Sequence, residues 1–199
     1  MNKKWKLGLI SAALALGVIG GAYAYYSGTA ATKENTFNIV AGQKDQENAG
    51  TIEEPNWNPE DAKDLQPGQT VAKDPKIKSN VDYETWVFMK VEVPTLTAQK
   101  EGDADDKVYD AVTFTKNAGW TEIKSTPSAV AGTNSVYIYG YDTKLAAQGE
   151  TTTLFDNFTV QDFTKVARGL SDSIDVSGTL IQTTGYDTQD AAATALGLK

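Results

Sequence analysis

The chain contains no cysteine and no histidine. Without cysteine there is no disulfide, so an exported protein of this sequence is held by its apolar core, by assembly or by a metal. Without histidine, the serine–histidine triads, the HExxH zinc sites and the histidine general bases are all excluded. A zinc ion would need an all-carboxylate shell, a poor match to its usual nitrogen and sulfur ligands. A serine–lysine dyad stays open, but no serine sits in a G-x-S-x-G elbow, and nothing singles out two of the 26 acidic residues as a catalytic pair. The sequence is therefore read as that of a non-enzyme. Only one long apolar run exists, at the N-terminus, so nothing else is expected to span a bilayer. The C-terminal Ala195–Lys199 has neither a hydrophobic tail nor an LPxTG-like signal, and no wall anchor is expected there.

What is present begins with that run. Lys3, Lys4 and Lys6 precede an apolar or small stretch from Leu7 to Ala24, and Ala22-Tyr23-Ala24 places small residues where a signal peptidase inspects. A basic end, an apolar run and an A-x-A site in that order read as a secretory signal peptide over 1–24, cleaved between Ala24 and Tyr25. The expected location is therefore extracellular, with membrane attachment only through the uncleaved signal. Cleavage removes basic residues and no acidic ones, so the mature chain is more acidic than the net −8 of the whole. Such a charge disfavours binding to nucleic acid or to an anionic membrane.

Past the cut, 25–42 ends in Thr36-Phe37-Asn38-Ile39-Val40, which alternates and suits a short strand. Residues 43–64 are acidic and polar without a period, and Gln43 to Lys63 reads as one long exposed loop carrying Trp57. A domain over 65–199 follows. Gln66-Pro67-Gly68-Gln69 is a turn signal, and Thr70–Ser79 reads as a strand broken at Asp74-Pro75. Tyr83–Val93 is the strongest strand, apolar on one face and apolar only mid-way on the other, with Pro94 expected to end it. Further strands are expected over 108–115, 120–123, 135–141, 151–160 and 174–182. Phe163, Val166, Ala167 and Leu170 have helical spacing, and Asp187 or Thr188 can cap a final helix through Leu196 with Gly197 just past it. Eight or nine short strands with one or two short peripheral helices predict an all-β, antiparallel β-sandwich.

Three features carry candidate chemistry. Asp103, Asp105 and Asp106 form the densest acid cluster, a candidate Ca²⁺ loop or a solvated turn, without the EF-hand order. Tyr137, Tyr139 and Tyr141 share a strand face, either a sugar-stacking platform or a half-buried sheet face. The third is assembly. The mature N-terminal stretch, with Tyr25, Tyr26, Phe37, Ile39 and Val40, is joined to the body by a polar loop and can reach its own sheet or a neighbour's.

The sequence also resembles a family. Lys3-Lys4, the Leu-Gly-Leu-Ile-Ser-Ala-Ala-Leu-Ala-Leu run and Gly-Gly-Ala-Tyr-Ala-Tyr-Tyr-Ser resemble the export signal of Gram-positive proteins processed by the SipW-type signal peptidase, the TasA and camelysin family. Leu65-Gln-Pro-Gly-Gln-Thr-Val-Ala-Lys-Asp-Pro-Lys-Ile and Trp86–Pro94 resemble consecutive segments of that family. So do Gly119-Trp120, Val136–Gly140, Leu154-Phe155-Asp156 and Ile174–Gln182. The resemblance implies a jelly-roll-like sandwich, secreted to the surface or matrix, and it holds two functional stories. TasA-like members build fibres, self-associating head-to-tail through the mature N-terminal strand; camelysins are described as surface metalloproteases. The non-enzymatic fibre or matrix subunit is the expectation the residues favour.

Overall fold

The computed structural model describes residues 27–30, 49–166 and 173–199. Among them are twelve strands and one α-helix: β1 (Ser27–Ala30), β2 (Gly50–Glu53), β3 (Thr70–Ala72), β4 (Lys76–Ser79), β5 (Thr85–Gln99), β6 (Lys107–Asp110), β7 (Val112–Phe114), β8 (Trp120–Thr126), β9 (Asn134–Tyr141), β10 (Asn157–Val160), β11 (Lys165–Val166), β12 (Asp175–Gln182) and α1 (Gln189–Ala195). Every named pairing is antiparallel. The main sheet runs β1-β12-β5-β9-β8, with β6 and β11 joined to the far half of β5. A second sheet is β3-β10-β7, and β2-β4 forms a ribbon. This is the antiparallel β-sandwich that the strand pattern predicts, jelly-roll-like as the resemblance implies.

β5 organises it. Val87, Met89, Val91 and Val93 point into the space between the sheets, where they meet Val176 and Leu180 of β12 and Tyr139 of β9. Val71, Ile77, Leu154, Phe155 and Phe158 close that core from the opposite side. On the other face of β5, Trp86 and Phe88 pack with Ile181 under Ala192 and Ala193 of α1. The two-sided pattern of the sequence is thus one face on the main core and one half-covered by a helix, with Lys90 and Glu92 pairing beyond it (2.7 Å). Buried apolar side chains on both faces explain why this strand has the strongest signal in the chain.

Several turns and caps form as their residues dictate. Gly68 has φ +79° behind Pro67, and the Gln69 amide donates to the Gln66 carbonyl (3.1 Å), a turn that needs glycine at its third position. Thr188 caps α1 by accepting from the Ala191 amide (3.2 Å), and Gly197 takes the left-handed conformation past the helix end.

Other expectations change. Pro94 does not end β5. The strand runs on to Gln99 and changes neighbours there, leaving β12 after Glu92 and β9 after Pro94 and taking up β6 from Thr95 and β11 from Ala98. The missing proline N–H thus falls at the changeover, while its carbonyl accepts from the Ala111 amide (2.8 Å). The stretch read as one exposed loop from Gln43 to Lys63 contains β2, paired with β4 from Gly50↔Ser79 to Glu53↔Lys76, and a 3₁₀ turn at Pro59–Ala62. Gly50 allows this pairing, because a Cβ there would stand 3.1 Å from the Lys78 carbonyl oxygen and 3.0 Å from Leu180. The helix expected from Phe163 is not formed over 163–166. Thr164 donates to the Gln99 carbonyl (2.9 Å) and β11 completes the far half of β5, because open ladder groups outweigh helical spacing. The remainder of that expected helix, 167–170, lies outside the described residues, as does the strand expected at Thr36–Val40. Only Asn157–Val160 of the 151–160 stretch is strand.

Candidate assembly edge

The acidic loop joins β5 to β6, and each of two carboxylates has a cationic partner. Asp103 pairs with Lys107, accepts from the Tyr109 hydroxyl (2.5 Å) and accepts from the Lys100 amide (2.9 Å). Asp106 pairs with Lys165 of β11 (2.8 Å), and Asp105 is exposed. The Lys107 ammonium first, then Tyr109 and the Lys100 amide, hold the Asp103 carboxyl well below the usual carboxylate range. A depressed folded value adds stability above the unfolded pKa near 4, and that stability is lost as pH falls through the folded value. Asp103→Asn is therefore expected to lower the urea midpoint at pH 7 by an amount that shrinks steadily below pH 4. A difference independent of pH would mean that the charge does not matter.

The tyrosine stripe faces inward. Phe114 stands edge-on to Tyr137 and Tyr139, with centroids 6.1 Å away in each case, and Tyr141 packs on Trp120 at 5.1 Å. Tyr137 donates its hydroxyl proton to Asp110 Oδ2, Ser135 donates to Asp110 Oδ1 (2.5 Å), and Gln161 Nε2 donates to the Asp110 carbonyl (2.6 Å). Burial first, then Glu122, pushes the Tyr139 phenol up to about 12. This is the half-buried sheet face, with no open aromatic platform for a sugar.

Trp57 anchors its loop. Its ring lies 6.3 Å from Phe158, and Lys73 Nζ sits 4.6 Å over it while pairing with Glu54 (2.7 Å). Neighbouring Asp74 accepts from the amide (2.9 Å) and from Nδ2 (2.8 Å) of Asn56. Lys73 and Asp74, both buried, thus fasten residues 54–57 beside the second sheet. Composition alone does not mark these two residues; the Leu65–Ile77 segment is where a signal existed.

The main sheet ends in β8 on one side and in β1, laid on β12, on the other, and the two ends differ. At one end β8 is exposed along most of its length and broken by a bulge between Glu122 and Lys124. Bulges and charged side chains blunt an edge against further pairing. At the other end β12 alternates Val176 and Leu180 inward and is fully paired to β5 from Asp175↔Glu92 to Gln182↔Thr85. Its outer side receives β1, in register from Ser27↔Ile181 to Ala30↔Gly178. β1 thus lies just beyond the expected cut after Ala24. Ala22, Ala24, Tyr25, Tyr26, Phe37, Ile39 and Val40 lie outside the described residues.

A family model described as camelysin metallo-endopeptidase matches residues 1–165. The chain belongs to this family. No curated protein and no solved structure matches it. The camelysin match includes the expected export signal and stops before β12, the strand that receives β1. Membership in the camelysin and TasA-like family, in a chain without histidine or cysteine, supports a structural role for a secreted protein. It also corrects the reading of the sequence as a plain non-enzyme, since the family is described by an endopeptidase. The residues present do not fit a zinc ion. Among the described residues no group of three or more histidine, cysteine, aspartate or glutamate side chains is placed to hold a metal, and Asp103 and Asp106 face lysines. Nor is any helix among them long and apolar enough to cross a membrane.

Proposed function

We propose that this camelysin-family protein is a secreted structural subunit of the cell surface or extracellular matrix, released by a SipW-type peptidase and assembled head-to-tail through its mature N-terminal strand. The observation that carries the proposal is β1 on the edge of β12. A strand just past an export cut, added to a sheet edge and separated from β2 by residues 31–48, is a contact that another copy can make equally well. Extended at about 3.4 Å per residue, that connection covers roughly 60 Å, enough to reach a neighbouring molecule. A strand donated to the next molecule makes a heterologous contact that need not close, and repetition gives a filament. The bulged β8 edge favours growth through β12 over edge-to-edge pairing of whole sheets. Before cleavage the same strand is tethered to the membrane, so export would also time assembly.

Electron microscopy of residues 25–199 beside a chain starting at Gln43 tests this. Filaments are expected from the longer chain alone; the same filaments from both would remove β1 from the mechanism. The family description favours a second reading, a surface endopeptidase. Casein cleavage by the purified chain, abolished by a chelator, would support it.

A further inference from the structure

We propose that the C-terminal segment Tyr186–Lys199 is a latch over a second apolar face of the main sheet, built to open as a unit while the sandwich stays folded. That face lies outside the main core. Trp86 and Phe88 of β5 and Ile181 of β12 form a cluster of their own, covered by Ala192 and Ala193. Ile123, the residue at the bulge in β8, packs against the same cluster, as do Leu196 and Leu198 at the end of α1. Val87, Met89 and Val91 belong to the core on the other side of the sheet, so they keep their neighbours when α1 leaves. β12 ends at Gln182, opposite Thr85, and the connection that follows carries Gly185 at φ +91°. Opening therefore breaks no strand pairing of the main sheet.

The contact has a specific joint. Gly140 of β9 forms a notch, because a Cβ there would stand 2.6 Å from Gln189 Cδ. The side-chain amide of Gln189 fills the notch, and its Nε2 donates to the Tyr141 carbonyl (2.5 Å). Glycine inside a strand often marks such a close approach. Trp86 Nε1 donates to the Tyr186 carbonyl (2.8 Å) and pins the connection to the same face. Further bonds close within the segment: Thr188 caps the first turn, the Leu198 amide donates to the Ala193 carbonyl (3.0 Å), and Lys199 pairs with Asp190. These shape the helix without tying it to the sheet. A seven-residue helix is marginal by itself in water, so α1 persists only while docked. Its buried apolar contribution is small, two alanines and two half-buried leucines, against the valines, methionine and aromatic rings of the main core. Elements with few buried apolar contacts open at lower free energy than the core beside them. What this opening uncovers is Trp86, Phe88 and Ile181.

Residue-resolved amide exchange on the chain 25–199 tests the latch. After correction for unpaired-chain rates, the Ala192, Leu196 and Leu198 amides are expected to exchange at least about a hundredfold faster than those of Val87, Met89 and Val91. Their urea dependence should be shallower, because less surface opens, and the Trp86 indole N–H should follow α1. One protection level and one urea slope shared by α1 and β5 would overturn the latch. Phe155→Leu, in the main core, should speed exchange in β5 and leave α1 unchanged, since that core survives the opening. Equal acceleration in both would mean that α1 is released only by global unfolding, and would overturn the proposal without touching the helix. Gln189→Ala and Gly140→Ala should each speed α1 exchange by at least roughly threefold, the loss of about one hydrogen bond. The double variant should open no faster than Gln189→Ala alone, because methyl and amide compete for one space. Opening at the product of the two single effects would overturn the joint.

Discussion

Replacing Lys73 with methionine is expected to cost about 3–5 kcal/mol of folding stability, the range for removing one partner of a buried ion pair. Lys73 is 4 % exposed and Glu54 10 % exposed at their side chains, with Nζ 2.7 Å from Oε1. Methionine keeps most of the length of the aliphatic stem, so packing against Trp57 is largely retained and what changes is charge. The Glu54 carboxylate is then left away from water with its cation gone, and the ring of Trp57 loses the ammonium 4.6 Å above it. For a domain of this size each kcal/mol moves the midpoint by about 2–4 °C, so thermal unfolding should fall by roughly 10 °C.

The companion experiment separates the pair from its burial cost. Lys73→Met combined with Glu54→Leu removes both charges and should recover most of the loss, because two desolvation penalties vanish with the attraction. Urea midpoints for the two single variants and the double variant close the cycle. A single variant costing less than about 1 kcal/mol would mean the pair behaves as a solvated surface bridge.

Phe155→Ala is the second large effect, about 3–5 kcal/mol by the cost of emptying a phenylalanine site in a packed core. Phe155 is fully buried, and its ring lies 4.5 Å from that of Phe114. It belongs to no strand. Leu154 beside it is held by its amide donating to the Pro75 carbonyl (2.8 Å) and its carbonyl accepting from the Asn117 amide (2.7 Å). Those two bonds fix the backbone, so the walls around an emptied site have little freedom to collapse and the cavity term stays large. Val130→Ala, at a residue 62 % exposed, is the comparison and should lie within about 0.5 kcal/mol of the parent. Denaturant unfolding with unchanged slope checks both. A small loss at Phe155 would show that Phe114 and Phe158 repack into the space.

The resemblance in Leu154-Phe155-Asp156 thus has a packing reason. Leu154 and Phe155 fill the core, and Asp156 accepts from Asn117 Nδ2 (2.8 Å) and from the Thr153 hydroxyl (2.9 Å) to hold the turn. The same is true of Lys73 and Asp74, whose side chains fasten the Trp57 loop. Neither pair stands out by composition, because a lysine or an aspartate in a polar stretch reads as solvated until its partner is known. Glu54 and Asn56, the partners, lie in the stretch that has no period and reads as loop.

Local chemistry explains what could be read in advance. β5 alternates because its inner face is buried along its whole length and its outer face only in part. Gly68 behind Pro67, Thr188 before α1 and Gly197 after it are turn and cap positions whose residues specify their own backbone. Those signals act within a few residues, so the sequence by itself determined the sandwich class, the main strand and the final helix.

Tertiary structure alone decided the rest, since each remaining choice depends on a partner distant in the chain. β2 exists because β4 offers it a ladder, β11 because the far half of β5 has open groups, and β5 passes Pro94 because its neighbours change there. The two sheet edges are decided in the same way. Nothing local in Ser27-Gly28-Thr29-Ala30 asks for a strand; the free side of β12, more than 140 residues away in the chain, supplies the hydrogen bonds that make it one.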